Sequence, residues 1–208
     1  MTNNTLEKMD EKKLITRLRD LLWEKKTSSL KKIYARVNLA TKQFQEIWSD
    51  WWEEEIPPRM EVDLIPVFSD SYDVILVGVE VEFFREKRRN PYKGLEQALS
   101  FGLFGFDSLV LWHVFASTLE NKIIDSYVRP VKEIVEGLNL PIVYFATKIE
   151  NRDKFEFFTP WYSSIQYEAD YIIRNLEKSC KEKKNPLLYK SEVKNRRKVL
   201  KTILKIPV

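Results

Sequence analysis

Glu61-Val62-Asp63-Leu64-Ile65-Pro66-Val67-Phe68 is followed, across Ser69-Asp70-Ser71, by Val74-Ile75-Leu76-Val77-Gly78-Val79-Glu80-Val81-Glu82-Phe83-Phe84. Both runs are apolar and rich in β-branched residues, and the residues between them favour chain reversal, so the pair predicts a hairpin. Side chains alternate across a strand. Glu80 and Glu82 therefore share one face while Val79, Val81 and Phe83 share the other and point into the core. Two adjacent carboxylates repel each other and call for a compensating cation. The hairpin brings up a third, Asp63, seventeen residues before Glu80. Three carboxylates, with a backbone carbonyl such as that of Val81, make a hard-oxygen donor set of the kind that takes magnesium or manganese.

Outward from the hairpin, Asn90-Pro91 opens a predicted helix carrying Leu95, Ala98, Leu99 and Leu103, closed by Gly102 and Gly105. On it, Lys93 and Gln97 are four residues apart and would face the carboxylates together. Residues 106–115 read as a strand, 119–138 as a helix, and 140–147 as another strand entered at Pro141. Strand, strand, helix, strand, helix, strand predicts an α/β fold with a mixed sheet. A long amphipathic helix over 163–184 and a last basic helix from Pro186 complete the chain. Before the hairpin, Leu14, Ile15, Leu18, Leu21 and Leu22 predict a helix over about 11–26. Leu30, Ile33, Tyr34 and Val37 outline a second, and Phe44, Ile47 and Trp48 a third that ends before Pro57-Pro58. Three short helices with a turn before the last resemble helix-turn-helix spacing, with Thr41, Lys42, Gln43 and Gln45 facing outward. The expected division is an N-terminal helical segment, 1–57, and a main domain, 58–208.

Composition narrows the chemistry. The single cysteine, Cys180, excludes an internal disulfide and a cysteine-based zinc site, and the single histidine, His113, excludes paired-histidine metal binding. His113, in Leu111-Trp112-His113-Val114-Phe115, reads as a hydrogen-bonded core or interface residue. No apolar run reaches the length of a membrane span and the first residues lack a signal-peptide pattern, so the expectation is an intracellular, cytoplasmic protein. The net charge of +4 is unevenly spread. Residues 50–86 hold eleven acids against Arg59 and Arg85, whereas residues 178–208 hold eleven lysines or arginines against Glu182 and Glu192. An acidic patch beside a basic tail suggests a cation site acting on a polyanion.

Asp63 on one strand, Glu80-Val81-Glu82 on the next, and a following helix with Gln97-Ala98-Leu99-Ser100-Phe101 resemble the PD-(D/E)XK nuclease superfamily. The similarity runs from about Glu61 to Ala146. Lys93-Gly94-Leu95-Glu96-Gln97 is similar to the family's Gln-bearing helix in RecB-like members, and Phe106-Asp107-Ser108-Leu109-Val110-Leu111 to its next core strand. The resemblance implies a restriction-endonuclease-like αβββαβ core, with a central mixed sheet flanked by helices, and a magnesium-dependent DNA endonuclease. Small single-core members commonly act as homodimers, and the Holliday-junction resolvases of archaea and their viruses share this size. The implied metal ligands are Asp63, Glu80 and Glu82, with Lys93 and Gln97 completing the catalytic set and Glu82 or Lys93 orienting or deprotonating water. Arg85, Lys87, Arg88, Arg89 and Lys42 would meet DNA phosphates. An acid on the first helix is also implied, and Glu46, Glu53, Glu54 and Glu55 are its candidates. Glu82 stands where the family usually has lysine. The alternative implied by that departure is a catalytically inactive, DNA-binding regulatory protein on the same fold.

Overall fold

The computed structural model describes residues 10–48, 60–71, 73–86, 90–149, 154–159 and 162–207. In order along the chain come α1 (Glu11–Glu24), β1 (Leu30–Asn38), α2 (Lys42–Trp48), β2 (Glu61–Ser69), β3 (Val74–Phe84) and α3 (Leu95–Ser100), which tightens into a 3-10 turn over Phe101–Phe104. Then follow β4 (Ser108–Phe115), α4 (Asn121–Gly137), β5 (Val143–Ile149), β6 (Lys154–Thr159), β7 (Tyr162–Glu168), α5 (Ala169–Glu182), a 3-10 turn at Pro186–Tyr189 and α6 (Ser191–Ile203).

The seven strands form one open mixed sheet in sequence order. β1, β2 and β3 are mutually antiparallel, β3, β4 and β5 are parallel, and β6 and β7 return antiparallel. The helices α3 and α4 cross between the parallel strands, as parallel neighbours require. β3 is buried from Ile75 to Phe84, as expected of a strand covered on both faces. Val79, Val81 and Phe83 pack with Leu14, Leu18 and Leu22 of α1 and with Ile172 and Leu176 of α5. On the opposite face Leu76, Ile65 and Leu111 pack with Ala98 and Phe101, with Val131 of α4 and with Leu200 of α6. Each fully buried leucine or phenylalanine contributes about 1.5–3 kcal/mol, and the two apolar layers clamp the sheet between them. No helix among the described residues is long and apolar enough to cross a membrane.

The expected α/β architecture with a mixed sheet is present, but three local expectations are corrected. Residues 30–38 are an edge strand, not a helix, and with that the helix-turn-helix pattern disappears among the described residues. Its cause is a β-bulge. Leu30 lies opposite Phe68 and Lys32 opposite Val67, so one extra residue on β1 lets Leu30 and Ile33 both be buried at a spacing that imitates a helix. Lys31 and Lys32 are exposed on this edge, where charge discourages pairing with another sheet. Second, residues 163–184 are not one helix: β7 runs to Glu168, whose extended backbone then starts α5. Third, Lys93 precedes α3, in a turn, and is not on its first helical face. The third expected N-terminal helix is present over Lys42–Trp48, and its continuation to Glu55 lies outside the described residues. So does the expected boundary at residue 57. Within the expected N-terminal segment, α1 shares the core of β3 and α5, and β1 pairs along β2.

Candidate active site

β2 starts beside the end of β3, because the two strands run antiparallel with Leu64 opposite Val79. That register sets Asp63 level with Glu80. All three acids are buried, Asp63 to 9%, Glu80 to 5% and Glu82 to 4% residual exposure, so a solvated acidic surface is excluded at these positions. The alternation expected of β3 holds: the valines at 79 and 81 belong to the α1/α5 layer, while Glu80 and Glu82 face the turn that leads into α3. Asp63 Oδ2 accepts the backbone N–H of Val81 at 2.9 Å, which ties the two strands at the site. The site thus lies toward the carboxyl ends of parallel strands, where open α/β sheets place their ligands.

Charge in this cluster is only partly compensated. Burial, then the carboxylates of Asp63, Glu82 and Glu11, push the Glu80 carboxyl well above the usual range, against the opposing pull of Lys93. Asp63 is raised as well, chiefly by burial, with the Val81 amide pulling down and Glu11, Glu82 and Glu61 pushing up. Glu80 Oε2 is buried with no hydrogen-bond partner among the described residues. An orphaned carboxyl oxygen of this kind costs about 1–3 kcal/mol, which a hard cation would offset. As the side chains stand, no group of three or more His, Cys, Asp or Glu among the described residues is arranged to hold a metal ion. Glu82 Oε2 is engaged by the Lys93 ammonium, and one oxygen of Asp63 by the Val81 amide.

Lys93, Gly94 and Gln97 come from the next element. The turn over residues 91–94 ends at Gly94, with φ at +79°. A Cβ there would lie 2.8 Å from Cγ of Glu82 and 3.1 Å from Cγ of Glu80, so the glycine both permits the left-handed backbone and lets the turn press on the carboxylates. Lys93 Nζ donates to Glu82. Gln97 Nε2 donates to the carbonyl of Glu61 at 3.1 Å, joining α3 to the start of β2. The pairing of Lys93 and Gln97 at the site is therefore achieved from a turn and a helix together.

One residue of the cluster was missed. Glu11, in the first turn of α1, lies 3.8 Å from Lys93 Nζ and raises both Asp63 and Glu80 electrostatically. Reading residues 30–38 as a helix moved the search for a first-helix acid downstream to Glu46, Glu53, Glu54 and Glu55. Glu46 is exposed on α2, and the other three lie outside the described residues. With residues 30–38 as a strand, α1 is the helix preceding the sheet and Glu11 its leading acid.

Of the expected DNA contacts, Arg85 is exposed beyond the end of β3, its guanidinium 5.7 Å from the Phe83 ring centroid. Lys87, Arg88 and Arg89 lie outside the described residues. Lys42 is exposed at the first position of α2, which follows the end of β1 that pairs with Glu61. His113 is fully buried and hydrogen-bonded, as expected of it. Cys180 is buried in α5, and burial pushes its thiol up to about 12, so it is an unreactive core residue at neutral pH.

No family model, no curated protein and no solved structure matches this chain.

Proposed function

We propose that this chain is a divalent-metal-dependent deoxyribonuclease of the restriction-endonuclease-like type, hydrolysing phosphodiester bonds in DNA. The observation that carries the reading is the burial of Asp63, Glu80 and Glu82 on two neighbouring strands, with an unpartnered Glu80 oxygen and a lysine brought to their edge. Proteins rarely bury three carboxylates against one another without a positive charge to hold them. The order of elements supports it too: α1, three antiparallel strands with the short α2 between the first and second, α3, and a strand parallel to the third follow, apart from α2, the αβββαβ order that the sequence resemblance implies.

The residues fit a hard divalent ion in donor type and in charge, since each would offer oxygen and the orphaned Glu80 Oε2 has no hydrogen-bond partner among the described residues. Asp63 and Glu80 would hold it, with Glu82 able to join once its carboxylate is shared between Lys93 and the ion. A bound magnesium or manganese ion supplies a water of lowered pKa and neutralises charge developing on the phosphate. Glu82 accepts a proton from the attacking water, and the Lys93 ammonium, hydrogen-bonded to the same carboxylate, orients that acceptor. Gln97 fixes the backbone at the start of β2 on which Asp63 depends. Arg85 and Lys42 stand at the site's end of the sheet, where phosphates of a nucleic-acid backbone would be neutralised. Pairing of two copies would set two such sites against two strands.

The second reading, an inactive DNA-binding protein on this fold, draws on one observation: Glu82 occupies the position of the usual lysine and is already ion-paired. Incubating linear duplex, single-stranded and four-way-junction DNA with the protein and magnesium or manganese separates the two. The nuclease reading expects cleavage of at least one substrate that EDTA abolishes and Glu80→Ala eliminates. DNA binding by wild type and variant alike, without cleavage by either, would replace it with the second reading.

A further inference from the structure

The one histidine of the chain lies directly behind the site. In the parallel pairing of β3 with β4, His113 is the register partner of Glu82, so the two side chains leave the sheet on the same face. Its ring is fully buried, with the Phe84 ring 4.9 Å away and the Tyr144 ring 5.2 Å away, both edge-on. His113 Nε2 is 3.1 Å from the backbone carbonyl oxygen of Lys93, and Nδ1 is 3.0 Å from the Tyr144 hydroxyl. A carbonyl only accepts, so Nε2 carries the proton and donates it. Nδ1 is then the acceptor, and the Tyr144 O–H donates to it. One neutral tautomer satisfies both bonds, with both ring nitrogens of His113 used.

Lys93 is consequently held at two ends. Its carbonyl is fixed by His113 on β4, and its ammonium pairs with Glu82 on the adjoining β3. The next residue, Gly94, sits against the Glu80 and Glu82 side chains with no room for a Cβ. We propose that His113, itself locked by Tyr144, is a positioning residue whose hydrogen bond to the Lys93 carbonyl sets the Lys93 ammonium against Glu82. The catalytic consequence rests on the nuclease reading above, whereas the positioning does not. His113 is a donor that fixes a turn, not the proton-transfer group that a lone histidine near an acidic site suggests.

The test uses His113→Leu, His113→Gln, Tyr144→Phe and Lys93→Ala in the full chain, with two readouts. His113→Gln keeps an N–H donor near the position of Nε2. The first readout is the labelling rate of Lys93 by an amine-reactive reagent at neutral pH, followed by peptide mass spectrometry without metal or DNA. His113→Leu should label Lys93 several-fold faster than wild type, Tyr144→Phe about two- to three-fold faster, and His113→Gln close to wild type, as expected for loss or retention of a fixing hydrogen bond. The second is cleavage kinetics. His113→Leu should lower kcat roughly 10- to 100-fold with little change in KM, His113→Gln should recover most of it, and the leucine change should cost little more in a Lys93→Ala background. Should His113→Leu fail to unfold cooperatively, Tyr144→Phe carries the labelling test alone, because it removes only a hydroxyl. Equal Lys93 labelling in wild type and Tyr144→Phe overturns the proposal, as do independent, multiplying effects of His113→Leu and Lys93→Ala. A wild type that cleaves no DNA while Lys93 labelling still responds to His113 and Tyr144 supports the positioning and overturns the nuclease reading instead.

Discussion

At the residue scale the molecule sets two opposite pH dependences within one layer of side chains. Asp63 and Glu80 have carboxyls raised above their unfolded values, first by burial and then by their neighbours. Their contribution is full below the unfolded carboxylate pKa of about 4 and is lost as pH rises through the folded values. Without divalent ions, then, the cluster destabilises the fold increasingly toward alkaline pH. Glu80→Gln removes the largest part of that burden. Its melting temperature in EDTA at pH 8 should exceed that of wild type by several degrees, given about 2–4 °C per kcal/mol at this size, and the difference should shrink at pH 5; calorimetry at the two pH values checks both. His113 behaves the other way. Burial lowers its pKa to about 4 from 6.5, so its neutral form is favoured in the fold. That contribution is complete above the unfolded value and is lost as pH falls from about 6.5 to 4, by about 3 kcal/mol. Wild type should be the more stable of wild type and His113→Gln at pH 8, and urea unfolding should show the gap narrowing by about that amount toward pH 4.

The elements show which signals in the sequence were sufficient. β2, β3 and α4 were legible because their apolar periods are long and unambiguous, and the site's three carboxylates were legible because a period of two puts Glu80 and Glu82 together whatever lies around them. β1 was not, since a bulge shifts its phase and gives Leu30 and Ile33 a helical spacing. Glu11 followed β1 into error, because only the true position of the first strand identifies the helix that precedes it. The basic tail was read as a surface for polyanions, yet part of it works internally. Arg197 of α6 donates through Nε and Nη2 to the two oxygens of Asp107 at 2.9 Å each, and its other contacts reach Asp73 and the Val74 carbonyl. Lys201 joins the same Asp73 at 2.5 Å. This network pins α6 to the starts of β3 and β4, at the end of the sheet away from the carboxylates. Arg197→Ala leaves the half-buried Asp107 without its counter-charge and should cost about 1–3 kcal/mol, read as a fall in the urea midpoint with an unchanged slope. The turn before α3 makes a second prediction at this scale. Gly94→Ala imposes a left-handed backbone on alanine, about 1–2 kcal/mol, and displaces Glu82, so it should lower both stability and metal-dependent cleavage.

Across the whole molecule, stability and chemistry are assigned to opposite ends of one sheet. The ion-pair clamp of α6 secures the end at which the parallel strands begin, while the end toward which they run collects acids from α1, β2 and β3, a lysine from the turn before α3 and a histidine from β4. Five elements converging on three buried carboxylates is a costly arrangement for a chain that gains nothing from it. On the proposed nuclease reading, a divalent ion is what this convergence serves. Titration of manganese into the metal-free protein at pH 7.5, followed by electron paramagnetic resonance of the free ion, tests that claim most directly. One or two bound manganese ions per chain are expected in wild type, displaced by magnesium, and lost in Glu80→Gln while the variant stays folded. A wild type that binds none, or a Glu80→Gln that binds as wild type does, would contradict it.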